Sequence, residues 1–209
     1  MTSYVGRQNL STGKIPLVSY HHGDLREAIL TAAARAIESD GVASLSLRAL
    51  AREVGVSHTA PRHHFGTKRG VVTALAAQGY RMLTAAVGRA VEAGDFLEAG
   101  VAYTEFARTH PAHFSVMFRP DLVEEDDPEL RAAVEGLAET LTGGVREFAA
   151  SERFDRSVVG EPVGDVESLA RAAWSIAHGF AVLARSGNFT LGGRSEADLA
   201  RETLRHLRP

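Results

Sequence analysis

The sequence predicts an all-α fold, a small helix-turn-helix unit at the N-terminal end followed by a larger helical part. Three observations carry this. Apolar residues recur at three- and four-residue spacing in one segment after another, from Leu25 to Leu207. No convincing strand interrupts them. Between Leu47 and Phe65 a short amphipathic stretch, a turn at Gly55 and a second short stretch carrying Arg62, His58, His63 and His64 follow each other as in a helix-turn-helix.

In chain order, residues 1–20 mix Gly, Ser, Thr, Asn and Pro16 without an apolar period and read as a mobile arm. The helix-turn-helix unit follows over residues 21–67. Its first helix is expected from Asp24, a capping residue with Glu27 three positions on, through Leu25, Ile29, Leu30, Ala32, Ala33, Ala36 and Ile37 to a stop at Gly41. Ser46 is placed to cap the second, with Leu47, Leu50, Ala51 and Val54 inward and Arg48 and Arg52 outward. Gly55 permits the positive φ of a sharp turn, Val56 reads as a buried plug, and Ser57 can cap a third helix. Pro61 is tolerated only near a helix start, so that helix should begin close to His58 and end at Phe65 and Gly66.

Residues 68–209 form the larger helical part. Thr67 caps a long helix from Lys68 to about Glu92, and Asp95 opens another that must break before Pro111. Pro111 to Phe118 is a short, very apolar helix or loop. The acidic run from Glu124 to Asp127 before Pro128 starts a helix reaching about Phe154, with Gly143 and Gly144 placed to bend or loosen it. A Gly/Pro-containing linker, 159–164, precedes a helix opening near Asp165 and stopping at Gly187. Ser195, with Asp198 three residues on, starts the last helix, through Leu207.

The 209 residues carry a formal charge of −3, unevenly spread. Residues 1–92 hold 11 Lys and Arg against 6 Asp and Glu, and residues 93–209 hold 12 against 20. Five of the nine histidines also lie in the first part, which suggests that one end meets phosphate and the other does something else. With no cysteine, disulfides and thiolate metal sites are excluded. Neither a membrane-length apolar run nor a signal peptide is present, so a cytoplasmic protein is expected.

The candidate DNA-binding residues are Ser46, Ser57, His58, Thr59, Arg62, His63, His64 and Lys68. A hairpin buried in a helical bundle would place apolar side chains where Arg62, His63, His64 and Lys68 stand. At Gly55-Val56-Ser57-His58-Thr59-Ala60-Pro61-Arg62-His63-His64-Phe65-Gly66-Thr67-Lys68 the chain resembles the DNA-binding signature of TetR/AcrR-type repressors, and upstream the likeness continues in Tyr20 to Arg26. Downstream, Trp174, His178 and Gly179 look like the Trp-His-Gly (WHG) signature of one C-terminal class of that family, and His110-Pro111 through Met117-Phe118 resembles its middle.

The resemblance implies a homodimer of all-α subunits that binds a palindromic operator and lets go when a small molecule enters the C-terminal domain. It implies that Ser46 meets phosphate, that His58 and Thr59 face the groove, and that His64 and Lys68 hold backbone phosphates. Two departures stand out. Arg62 replaces the usual Tyr, and could take over a phosphate contact or reach a guanine edge. Arg69 replaces the usual acidic residue, giving up a helix-dipole partner and adding positive charge near DNA.

Tyr103, Phe106, His110, Phe114, Met117, Phe118, Trp174 and His178 could line an apolar ligand cavity with a few polar handles, or be plain core. The last two helices are the candidate dimer interface. No cofactor or metal is expected: adjacent His63 and His64 point in different directions on a helix, and His110 and His113 lack a matching pair. Two other readings compete, a helical dimer of the same fold without operator binding and a hydrolase using His110 or His178. The sequence offers no nucleophile elbow, phosphate loop or metal motif, so no enzyme is expected.

Overall fold

The computed structural model describes residues 22–150, 166–189 and 192–205, and these are all-α. The helices are α1 (His22–Ser44), α2 (Leu47–Val54), α3 (Ala60–Phe65), α4 (Lys68–Glu92), α5 (Phe96–Thr109), α6 (Pro111–Met117), α7 (Pro128–Ala150), α8 (Val166–Arg185) and α9 (Glu196–Arg205). The N-terminal arm, the 159–164 linker and the residues after Arg205 lie outside the described residues.

Local chemistry sets most boundaries. Thr67 Oγ1 accepts from Gly70 N at 3.0 Å, Asp95 Oδ1 from Glu98 N at 3.2 Å, and Asp127 Oδ1 from Leu130 N at 2.9 Å. Ser195 Oγ accepts from Asp198 N at 3.1 Å and donates to the Asp198 carboxylate at 2.6 Å, a reciprocal cap. Gly41 (φ 78°) breaks the helical path inside α1, and Gly55 (φ 77°) makes the turn between α2 and α3.

Several expectations need correction. α1 already starts at His22, so Asp24 lies within its first turn instead of capping it. Ser46 occupies the N-cap position of α2 but makes no capping hydrogen bond. α3 begins at Ala60, with Thr59 and not Ser57 at its N-cap, because a turn from Ser57 O to Ala60 N (3.0 Å) takes up His58 and Thr59 first. Val56 is only half-buried. α7 runs unbroken across Gly143 and Gly144, and Gly144 serves packing: a Cβ there would stand 2.8 Å from a Val91 methyl.

α4 is the axis of the molecule. At 25 residues it is roughly 38 Å long, and it packs on α1, α3, α5, α6 and α7. Every residue from Val71 to Ala77 is buried. α5 in turn carries α8 and α9 on its other side. One apolar cluster runs without a break from Ile29 in α1 to Leu204 in α9, so the helix-turn-helix rests on the same core as the rest of the chain.

Candidate DNA-binding surface and sensor cluster

α2 and α3 are held against α1 by Leu50, Ala51 and the buried Pro61, and by a two-pronged ion pair from Arg35 to Glu53 at 2.8 and 3.2 Å. That leaves polar residues outward. Ser46, Ser57, His58, Thr59, Arg62 and His63 are exposed, and Ser57 Oγ lies 3.0 Å from Thr59 Oγ1. Arg48, Arg52 and Arg62 are all exposed cations on the same two helices. His64 is half-buried, edge-on to His63 (5.6 Å) and tilted against Phe65 (6.2 Å). Lys68 is tethered: its Nζ donates to Ala43 O at 2.8 Å, tying α4 to the last turn of α1.

Arg69 does not face the same way. Exposed like Arg62, its guanidinium nonetheless reaches the chain after α6, donating through Nε to Val123 O (2.9 Å) and through Nη2 to Val123 O and Pro120 O (3.2 Å to the latter). Arg69 thus clamps the α6–α7 connection. Two further links join the reading helices to the remainder. Arg26 lies over the Phe65 ring at 5.6 Å and pairs with Glu129 at the start of α7 at 2.7 Å. Glu27 of α1 accepts from Gln78 Nε2 at 2.7 Å, and Gln78 Oε1 lies 2.9 Å from His113 Nε2 on α6. Burial holds the His113 imidazole down at about 4, with His110 adding a smaller push, so it is neutral and its Nε2–H donates to Gln78. None of these links has a local sequence signal, since each spans 35 residues or more.

The aromatic residues expected to line a cavity divide into groups. Tyr103, Phe114, Phe118, Trp174 and His178 come together: Tyr103 Oη is 2.9 Å from His178 Nδ1 and accepts from Trp174 Nε1 at 3.2 Å. His178 stands edge-on to Phe118 at 4.6 Å and tilted over Phe114 at 5.4 Å. Burial raises the Tyr103 hydroxyl well above its ordinary pKa, and burial lowers that of His178. Trp174 is 40% exposed, so the cluster opens at the surface of α8. Phe106 and His110 form a separate stack at 4.8 Å. Met117 packs on the other side, its Sδ 2.7 Å from where a Cβ on Gly79 would be. Tyr80 Oη donates to Met117 O at 2.7 Å, and burial pushes that hydroxyl up to about 12.

Elsewhere, a small cavity of about 80 Å³ lies between Val91, Phe96, Gly144 and Phe148. Val182 and Leu183 on α8 are 45% and 44% exposed. Among the described residues no group of His, Asp and Glu has the arrangement of a metal site, and no helix is long and apolar enough to cross a membrane.

Comparison with known proteins agrees with this geometry. Residues 29–75 match the family model of bacterial regulatory proteins of the tetR family, and residues 96–207 match the tetracyclin repressor-like C-terminal domain. Among curated proteins, none matches the chain. A protein of unknown function from Rhodococcus sp. RHA1 is 31% identical, covering 92% of this chain and 97% of that one, with a TM-score of 0.74. The fold is also that of the TetR-family transcriptional regulator PfmR from Thermus thermophilus (23% identity, 86% and 96% covered, TM-score 0.63). NalD, the secondary repressor of the MexAB-OprM efflux pump in Pseudomonas aeruginosa, shares it at 19% identity, with 90% and 96% covered and a TM-score of 0.59. The chain therefore belongs to the TetR family of transcriptional regulators, a helix-turn-helix DNA-binding domain followed by a helical C-terminal domain.

Proposed function

We propose that this regulator is a homodimeric repressor that holds a palindromic operator through residues 21–67 and lets go when a small apolar molecule reaches residues 68–209. The observation that carries the reading is the coexistence of an outward Arg62, His58 and His63 on and before α3 with an Arg69 that clamps the connection following α6. In this reading Arg62 and Ser46 meet DNA together with His58, Thr59, His63 and His64. Lys68, bound once to Ala43 O, has two further N–H groups for a phosphate.

The Tyr103–Trp174–His178 cluster is the sensor. A ligand that moves Phe118 moves the residues directly after α6, whose carbonyls Arg69 grips, and Arg69 stands one residue from Lys68 beside the reading helices. His110 and His178 act here through ring packing and hydrogen bonds, not as hydrolytic groups. Reading the chromosome places the protein in the cytoplasm.

Dimerisation through α8 and α9 completes the reading. Support comes from the exposed Val182 and Leu183, and from Gly179, one turn before, where a Cβ would meet nothing within 4 Å. The outward residues of α9, Asp198, Glu202 and Arg205, are polar, so α8 supplies the apolar centre and α9 the rim. Two-fold pairing would set the α3 helices about 34–36 Å apart, one turn of DNA.

The test is a gel-shift titration of purified protein on the DNA upstream of its own gene, with random duplex as competitor at moderate salt. A preference for the upstream DNA supports the reading. Equal binding to both would refute it.

A further inference from the structure

The hydrogen bonds inside the sensor cluster fix the tautomer of His178. The indole Nε1–H of Trp174 can only donate, so Tyr103 Oη accepts it at 3.2 Å. Burial keeps the Tyr103 hydroxyl protonated at any ordinary pH, so Oη has one proton to place. Among the described residues its only other partner is His178 Nδ1, at 2.9 Å. Were Nδ1 to carry a proton and donate, the hydroxyl proton would be left buried with no acceptor, and Tyr103 is 2% exposed. The arrangement that leaves no buried donor without an acceptor runs Trp174 N–H to Tyr103 O–H to His178 Nδ1, and it puts the imidazole proton on Nε2.

Nε2 itself forms no hydrogen bond among the described residues. It is not sealed in either, because no buried side-chain nitrogen or oxygen there lacks a partner. A directed N–H therefore stands at an accessible edge of the cluster. The His178 ring that carries it packs, centroid to centroid, against Phe118 at 4.6 Å, Phe114 at 5.4 Å and Trp174 at 6.1 Å.

We propose that the His178 Nε2–H is the recognition donor of the sensor site, and that the ligand is an uncharged ring compound bearing a hydrogen-bond acceptor, such as a carbonyl oxygen. This rests on the cluster being the sensor, as read above. The acceptor takes the N–H that has no partner among the described residues; the apolar body packs on Phe118 and Trp174, the aromatic neighbours that are not buried. An ionised ligand fits less well at Nε2, because burial disfavours the charged imidazole that would pair with it, and the cation that touches the cluster among the described residues, Arg185, lies over the Phe114 ring at 5.7 Å and already donates to Ala107 O.

Two matched pairs of probes test it: cyclohexyl methyl ketone against ethylcyclohexane, and acetophenone against ethylbenzene. Trp174 is the one tryptophan of the chain, so its fluorescence reports the cyclohexyl pair directly, and release of upstream DNA reports both. Each ketone should bind at least tenfold more tightly than its hydrocarbon, about 1.4 kcal/mol or one hydrogen bond. The tenfold preference should vanish in His178→Phe, which keeps a ring, and persist in His178→Gln, which keeps an N–H donor. Nitrogen-15 spectra of histidine-labelled protein should show a protonated Nε2 and a bare Nδ1 for the signal lost in His178→Phe. If ketone and hydrocarbon bind alike and both release DNA, the cluster is the sensor but the donor assignment is wrong. If neither probe perturbs Trp174 or the DNA complex, the sensor reading falls, and this one with it. A protonated Nδ1 would overturn the tautomer, whatever the probes do.

Discussion

Arg69 Nε donates to the carbonyl oxygen of Val123, 54 residues further along the chain, at 2.9 Å. The same guanidinium reaches Pro120 O, and Thr73 Oγ1, one turn on, accepts from Glu124 N at 2.9 Å. The first turns of α4 thus hold the whole connection between α6 and α7. Charge-assisted bonds of this kind contribute about 1.5–3 kcal/mol each, less where water reaches them. Arg69→Ala should lower the urea midpoint by a loss of about 1–3 kcal/mol, while the salt dependence of DNA binding stays that of the parent. A reduced salt slope in Arg69→Ala would place Arg69 on a phosphate after all.

Two glycines on α4 should respond differently to a single methyl group. A Cβ on Gly70 would stand 2.0 Å from Phe65 O, a backbone atom at the end of α3 that cannot step aside. A Cβ on Gly79 would meet side-chain atoms only, Met117 Sδ at 2.7 Å and Cγ at 3.0 Å in a flexible thioether and His113 Cβ at 3.1 Å. Gly70→Ala should cost about 3 kcal/mol or more and release the helix-turn-helix. Gly79→Ala should cost about 1–2 kcal/mol and leave DNA binding near normal. Equal destabilisation, by chemical denaturation, would mean that the α3–α4 corner gives way more easily than its geometry implies.

Locally coded features are legible in the sequence. Thr67, Asp95, Asp127 and Ser195 cap the helices they precede, Gly55 and Gly187 follow the ends of theirs with a positive φ, and Gly41 kinks α1 with one. The start of α3 is less so: Ser57 and Thr59 are equally good caps by type, and only the Ser57–Ala60 turn decides for Thr59. The grip of Arg69 on the α6–α7 connection escapes sequence reasoning because its partners are main-chain carbonyls, which have no sequence signature. The Glu27–Gln78–His113 chain is invisible for the same reason of distance, although each residue is ordinary for a helix. Spacing identifies the aromatic set, yet it does not separate Tyr103, Trp174 and His178 from the Phe106–His110 stack.

His113 gives the chain a graded sensitivity to acid. Its folded-state pKa is lowered from the ordinary 6.5 to about 4, so between those values the unfolded chain binds a proton that the folded one refuses. Stability must then fall as the pH drops from 6.5 toward 4, by up to about 1.4 kcal/mol per pH unit for one proton. His178, lowered by burial, acts in the same direction. In His113→Gln the acid limb should flatten while His178's smaller share remains. An unchanged limb, followed by urea unfolding at about pH 7, 6 and 5, would exclude His113 as its source.

The exposed pair Val182 and Leu183 makes the dimer testable without touching the DNA surface. A Val182→Arg, Leu183→Glu double variant places charges where the proposed interface is apolar. It should sediment as a folded monomer at micromolar concentration, with operator affinity roughly a hundredfold weaker or more because one half-site is lost per protein. A double variant that remained dimeric would move the interface off α8.

Arg62 bears most directly on the account, since it is an exposed cation of α3 and Arg69 is a cation bonded to the α6–α7 connection. The decisive measurement is the slope of log affinity against log salt for upstream DNA, taken for the parent, Arg62→Ala and Arg69→Ala. Each phosphate contact contributes about 0.9 to that slope, and a contact to a guanine edge shows instead as about 1–3 kcal/mol of discrimination between bases. The account predicts that Arg62→Ala loses a slope of about one or relaxes the preference at one base pair, with Arg69→Ala unaltered in both. Arg62→Ala binding upstream DNA like the parent in slope and preference would contradict it.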